Sequence, residues 1–156
     1  DTKLYHNKYE QEWTYDYEIN EEYAYLLGFF FADGTCCTTV SNKPHYEWQI
    51  NNIKLEWLEK LLPIAEKYEK QEFIIQKIKH DSGNGFKPSQ DYIYILRPNL
   101  KRKECAIKYR KMFYNSLREK FVPTEILNSD YKVQKAFLDK EKVSLINTQV
   151  FAPLIK

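Results

Sequence analysis

The stretch Leu26-Leu27-Gly28-Phe29-Phe30-Phe31-Ala32-Asp33-Gly34 decides the fold. Upstream of it, Asn20 is a good N-cap, Glu21 and Glu22 place negative charge in a first turn, and Gly34 stands where a helix stops. A helix over 21–33 follows from those signals. Within it Ala24, Gly28 and Ala32 fall four apart and share one face, narrow enough for a second helix to approach closely, while Tyr25, Leu26, Phe29 and Phe30 anchor the flanks. Asp33 falls at the helix C-terminus, where the negative end of the dipole adds to its pull on a cation. An Asp-Gly helix stop without further role is the alternative reading of that position.

Beyond Gly34 the period changes to two. Residues 35–41 are rich in β-branched side chains and read as a strand, Asn42-Lys43-Pro44 as a turn, and 46–51 as the returning strand. Leu55, Leu58, Leu62 and Ala65 recur at helical spacing over 54–68, with a bend expected at Pro63. Strands follow at 72–79 and 92–97, separated by the loop Asp81-Ser82-Gly83-Asn84-Gly85, and a helical pattern runs over 101–117. Pro123 breaks the chain, a short turn of helix fits 124–127, and Ser129 is placed to cap a helix starting at Asp130. The order α-β-β-α-β-β-α, with helices segregated from an antiparallel sheet, predicts an α+β fold. Residues 1–19 read as an extended lead-in, 20–117 as the folded unit, and 118–156 as a linker followed by an incomplete second unit.

Composition narrows the function classes. The chain has 156 residues, room for one core, and its apolar content rests on 13 Tyr, 9 Phe and 3 Trp, so a Tyr-rich boundary layer is expected around that core. Three Cys, at 36, 37 and 105, form no paired framework and lack zinc-site spacing, which points to a reducing, intracellular setting. His6, His45 and His80 are scattered and read as surface or turn residues. No apolar run is long enough to span a bilayer. Net charge is +2 but uneven: the first 34 residues are acidic, whereas 99–120 carries eight Lys and Arg against Glu104 and Glu119. A block of that density neutralises phosphates or forms a solvated helix face.

With the helix, the sheet order and these charges in view, the sequence resembles the LAGLIDADG homing endonucleases, most closely the endonuclease domains of inteins. The nonapeptide Leu26 to Gly34 carries Gly28, Ala32, Asp33 and Gly34 in place, with Phe31 where the family has its first Asp. Arg110-Lys111-Met112-Phe113-Tyr114 and Lys120 to Asn128 look like the segment between the two halves of such enzymes, and Ala136-Phe137-Leu138-Asp139 looks like the opening of a second signature helix. Carried on ungapped, that helix has Lys140 at the tight crossing, Ser144 at the small position and Leu145 at the acid, so only one signature acid is present. The chain starts with Asp1 and ends Leu154-Ile155-Lys156, without splicing residues, so the endonuclease insert alone is expected.

The resemblance implies a αββαββα saddle on double-stranded DNA, two signature helices packed through Ala24, Gly28 and Ala32, and a divalent ion, Mg2+, held by Asp33. It implies a basic residue near that ion, for which Arg97, Lys101 and Lys103 are candidates. Alternation along strands puts Thr35, Cys37 and Thr39 on one face and Glu47, Gln49 and Asn51 on one face, and Gln and Asn suit adenine edges as Lys and Arg suit guanine or phosphate. Gln76, Lys77 and Lys79 on a later strand join them as candidates for DNA contact, beside the alternative of an ordinary exposed sheet. A site-specific DNA endonuclease is one function, with a second half-domain chain or a homodimer through the signature helix as partner. A catalytically dead remnant that binds nucleic acid in a larger assembly is the other.

Overall fold

Asn20 does cap the first helix: its side-chain oxygen accepts the Tyr23 N–H at 2.8 Å, and α1 runs Glu21–Asp33. The computed structural model describes residues 19–79 and 92–139, so the lead-in, the loop with Asp81 to Gly85, His6, His80 and all positions from Lys140 onward lie outside the described residues. Eight successive α1 residues, Tyr23 to Phe30, are buried. A helix apolar all round must be enclosed on every side, and here the sheet, two longer helices and a short C-terminal helix enclose it.

The chain continues as β1 (Gly34–Val40), β2 (Lys43–Asn52), α2 (Leu55–Glu69), β3 (Phe73–Lys79), β4 (Tyr92–Pro98), α3 (Arg102–Phe113), α4 (Thr124–Leu127) and α5 (Tyr131–Phe137). The four strands form one antiparallel sheet in the order β1-β2-β4-β3. This is the expected α+β architecture, with helices on one face of an open sheet.

The first hairpin turns one residue earlier than the sequence suggests. Ser41 and Asn42 sit at φ 51° and 63°, the two left-handed residues of a tight two-residue connection whose twist matches the strands. Pro44 therefore belongs to β2, where it faces Thr39 and lies beyond the reach of β4, so its missing N–H costs no ladder bond. Pairing then steps two residues along β1 against three along β2 between Cys37↔Glu47 and Thr39↔Pro44. The extra residue belongs to β2, a bulge opposite Thr38, and β1 keeps its alternation.

The core is built on Phe30. Its ring stacks on Trp48 (5.5 Å between centroids) and meets Tyr109 at 4.7 Å and Phe113 at 4.9 Å, tying α1 to β2 and α3. The expected boundary of tyrosines is present on one flank, where Glu69 accepts the Tyr109 hydroxyl at 2.9 Å, the Tyr23 hydroxyl at 3.3 Å and the Lys108 ammonium at 3.0 Å. The Glu69 side chain is 3% exposed, and these donors make its burial tolerable. α2 passes through Pro63 without interruption.

Four expectations near the C-terminal end change. The helix predicted over 101–117 stops at Phe113, because Asn115 takes the Leu117 and Glu119 N–H groups on its side-chain oxygen, both at 2.9 Å, and Arg118 turns the chain at φ 64°. Tyr114 and Lys120 pair as an antiparallel bridge across that turn. Asp130, not Ser129, caps α5, accepting the Val133 N–H at 3.1 Å, while the Ser129 hydroxyl donates to the Glu125 carbonyl. With α5 starting at Tyr131, Ala136 to Asp139 close that helix rather than open one. The region read as a linker is not loose over its described part: Val122, Ile126, Val133 and Phe137 join the core, and α5 packs on α1.

Candidate functional site

α1 passes into β1 with no intervening residue, so Asp33 is the last helical residue and Gly34 the first of the sheet. Gly34 is not there for backbone freedom, since its φ of −93° suits any residue. Space is the reason. A Cβ at Gly34 would overlap the Phe30 ring and lie 2.6 Å from the Phe30 carbonyl oxygen. The ring cannot yield because it is packed between Trp48, Tyr109 and Phe113.

The Asp33 carboxylate accepts a hydrogen bond from the Asn52 amide at 3.0 Å. Asn52 ends β2, and its own side-chain oxygen takes the Lys54 N–H at 2.8 Å, so the amide is oriented from behind. The cation beside Asp33 is Lys120. Its ammonium donates to the Phe30 carbonyl at 2.8 Å and the Gly34 carbonyl at 2.5 Å, at the negative end of α1. Burial pushes the Lys120 pKa down to about 8, against the opposing pull of Cys36 and Asp33.

Lys120 and Asn52 are the residues that strand and helix patterns do not reveal. For Lys120 the turn at Asn115 and the left-handed Arg118 fold the chain back and carry it to α1. Among the three basic candidates, Arg97 donates to Gln76 at 3.0 Å on the sheet, Lys101 precedes α3 and is exposed, and the Lys103 ammonium lies 5.5 Å over the Tyr46 ring. Their described contacts tie them to the sheet and α3, not to Asp33.

Cross-strand register sorts the sheet candidates. Thr35 pairs with Gln49, Cys37 with Glu47, Asn51 with Ile95 and Ile95 with Gln76, which brings Thr35, Cys37, Glu47, Gln49, Asn51 and Gln76 to the face turned away from the helices. Thr39 stays with them because the bulge lies on β2. Lys77 and Lys79 pair with Tyr94 and Tyr92 and alternate to the other face, so adjacent residues of β3 cannot both join the first group. Ile74, Ile78 and Ile93 share the open face with Arg97.

That face has two characters. Its β1–β2 half is polar, and its β3–β4 half is mostly isoleucine. β2 and β4 are paired only from Ile50 to Asn52, so they diverge beyond it and leave a groove lined by Glu47, Gln49, Gln76, Ile78, Ile95, Arg97 and Arg102. The basic block of the sequence is dispersed in three dimensions: Lys108 is bound to Glu69, Arg110 lies 4.0 Å over the Tyr114 ring, and Lys120 is tucked under α1. Arg102 is the member that reaches the groove.

Of the packing stripe, Ala24 and Gly28 are buried within the single chain and Ala32 is half-buried. The Phe31 ring meets the Phe137 ring of α5 at 5.7 Å. A homodimer built on an open α1 face therefore does not match this packing.

The chain is 36% identical over 140 residues to a protein named DNA polymerase from Acanthamoeba polyphaga mimivirus, an alignment covering 88% of the chain. It spans only 7% of that relative's length. No protein-family model matches the chain. No helix among the described residues is long and apolar enough to cross a membrane.

Proposed function

We propose that this chain is a LAGLIDADG endonuclease unit of the intein type, or a half of one, that binds duplex DNA through the open sheet face and cuts it at Asp33. The observation that carries the reading is the junction of α1 and β1: an acid at the end of a buried helix, continuous with an antiparallel β1-β2-β4-β3 sheet, with the Lys120 ammonium beside it. The likeness to a short stretch of a much longer protein named DNA polymerase supports an endonuclease unit carried within a larger reading frame.

The donor chemistry at Asp33 fits Mg2+. A hard carboxylate at a helix C-terminus suits a cation that keeps several waters and needs only one or two protein carboxylates alongside substrate phosphate. When bound, such an ion activates water and neutralises charge at the phosphate. The chain's own contribution is to hold the acid. The Asn52 amide fixes one carboxylate oxygen, and Gly34 lets Phe30 lock the helix end. Lys120, with a pKa of about 8, holds or gives up a proton at Nζ near neutral pH and presents positive charge where a phosphate would lie.

On the sheet, Gln49 has an amide of the kind that pairs with adenine edges, while the Asn51 side-chain oxygen is buried beneath that face with no protein partner among the described residues. Ile74, Ile78, Ile93 and Ile95 suit thymine methyls. A second reading, a non-cutting nucleic-acid-binding remnant, is favoured by the presence of a single signature acid. Supercoiled plasmid libraries with Mg2+ separate the two: the wild type is expected to nick and Asp33→Asn to bind without nicking. Binding by both with nicking by neither would leave the second reading.

A further inference from the structure

The first hairpin gathers three metal-ligating side chains that sequence spacing keeps apart. Cys37 on β1 stands directly across from Glu47 on β2, and His45 precedes Glu47 by two residues within the bulged segment. His45 Nε2 lies 2.9 Å from a Glu47 carboxylate oxygen, and the Cys37 thiol donates to the His45 carbonyl at 3.6 Å. One ligand atom from each residue, sulfur, nitrogen and oxygen, falls within 4.8 Å of the other two.

We propose that Cys37, His45 and Glu47 form a three-ligand site for Zn2+ or a similar borderline-soft divalent cation on the open sheet face. The donor set selects the ion. A thiolate excludes Mg2+ and Ca2+, while the Cys, His and carboxylate combination suits zinc with a water or other oxygen in the fourth position. With metal–sulfur bonds of about 2.3 Å and metal–nitrogen or –oxygen bonds of about 2.0 Å, tetrahedral ligand atoms stand about 3.3–3.6 Å apart. Those separations fit inside the observed envelope, and the His45–Glu47 contact has only to open by a few tenths of an ångström.

The bulge lies within the set: its extra residue falls between Glu47 and Pro44, in the segment that carries His45. The tight Ser41-Asn42 turn holds the two strands in register around the site. Charge also closes: a divalent cation with one thiolate and one carboxylate is neutral, and the thiol proton passes to solvent on binding. The adjacent Cys36 is buried on the opposite face and Cys105 lies in the core, so neither competes for the ion. This site does not depend on the DNA-cutting reading, and its test uses no DNA.

Cobalt is the probe. Metal-stripped protein titrated with Co2+ should develop a thiolate-to-cobalt charge-transfer band in the near ultraviolet, saturating at one equivalent and removed by Zn2+. Cys37→Ser should abolish the band, and His45→Gln or Glu47→Gln should weaken binding by more than about tenfold. Zn2+ should raise the Tm of the wild type and leave that of Cys37→Ser unchanged. All three side chains are at the surface, and circular dichroism checks that each variant folds. Absence of the band in the wild type, or its persistence in Cys37→Ser, overturns the proposal.

Discussion

Replacing Lys120 by Met tests whether a charged ammonium is held under α1 at a cost. The fall of its pKa from the ordinary 10.5 to about 8 corresponds to a penalty of about 3 kcal/mol on the charged form at pH 7. Two hydrogen bonds, to the Phe30 and Gly34 carbonyls, can be donated by Nζ whether charged or neutral, so they offset much of the cost of burying Lys120 without undoing the shift. Methionine fills nearly the same space without either contribution, and the Phe30 carbonyl keeps the Gly34 N–H as donor. Lys120→Met is therefore expected to change stability at pH 7 by no more than about 1 kcal/mol. The pH dependence is the sharper reading. Between pH 8 and 10.5 the unfolded chain binds more protons at this lysine than the folded one, so wild-type stability rises with pH across that window. From pH 7 to pH 9.5 the wild type should gain about 2 kcal/mol relative to Lys120→Met, measured by urea denaturation of both proteins at each pH. Comparing the two removes the titration of tyrosines and other lysines. Parallel pH profiles for the two proteins would refute the argument. If Lys120 also serves the proposed cleavage, the variant should stay folded and lose plasmid nicking.

Other outcomes follow from packing and from the sheet face. Gly34→Ala should cost about 1–3 kcal/mol through the overlap with Phe30, read as a lower Tm; an unchanged Tm would show that the ring moves aside. Gly28→Leu places a large side chain at a buried position of α1 and should cost about 3 kcal/mol, with calorimetry as the measure and no change of oligomeric state expected. Replacing thymine by uracil throughout a bound duplex should weaken binding about fourfold for each methyl that meets Ile74, Ile78, Ile93 or Ile95, since a buried methyl is worth about 0.8 kcal/mol. Equal affinity for the two duplexes would remove those isoleucines from base contact.

The architecture was largely readable because its signals are local. Asn20, Glu21 and Gly34 bracket α1, and the change of period from 3.6 to 2 at Gly34 marks the sheet. The alternation of Glu47, Gln49 and Asn51 put them on one face, but whether that face matches the one holding Thr35 and Cys37 is a question of cross-strand register, which no single strand encodes. Gln76, Lys77 and Lys79 are candidates through their place on one strand, and alternation puts Gln76 on the opposite face from the two lysines. The place of Lys120 beside α1 is not legible from local pattern, because it lies 86 residues from the Gly34 carbonyl it binds and belongs to no periodic segment. The Cys37, His45 and Glu47 cluster is hidden for a related reason: cysteine spacing alone does not disclose it, because the partners are an imidazole and a carboxylate on the next strand.

The direct passage of α1 into β1 leaves the molecule without slack at its centre. A loop would absorb a small rotation of the helix, but here a turn of α1 about its axis has to be taken up by the first residues of the sheet. Whatever presses on the far side of that helix, α5 in this chain, thus acts as a lever on Asp33 and on the strand that carries Thr35 and Cys37. Changes in the C-terminal segment, well away from the open face, should on this account alter what that face can hold.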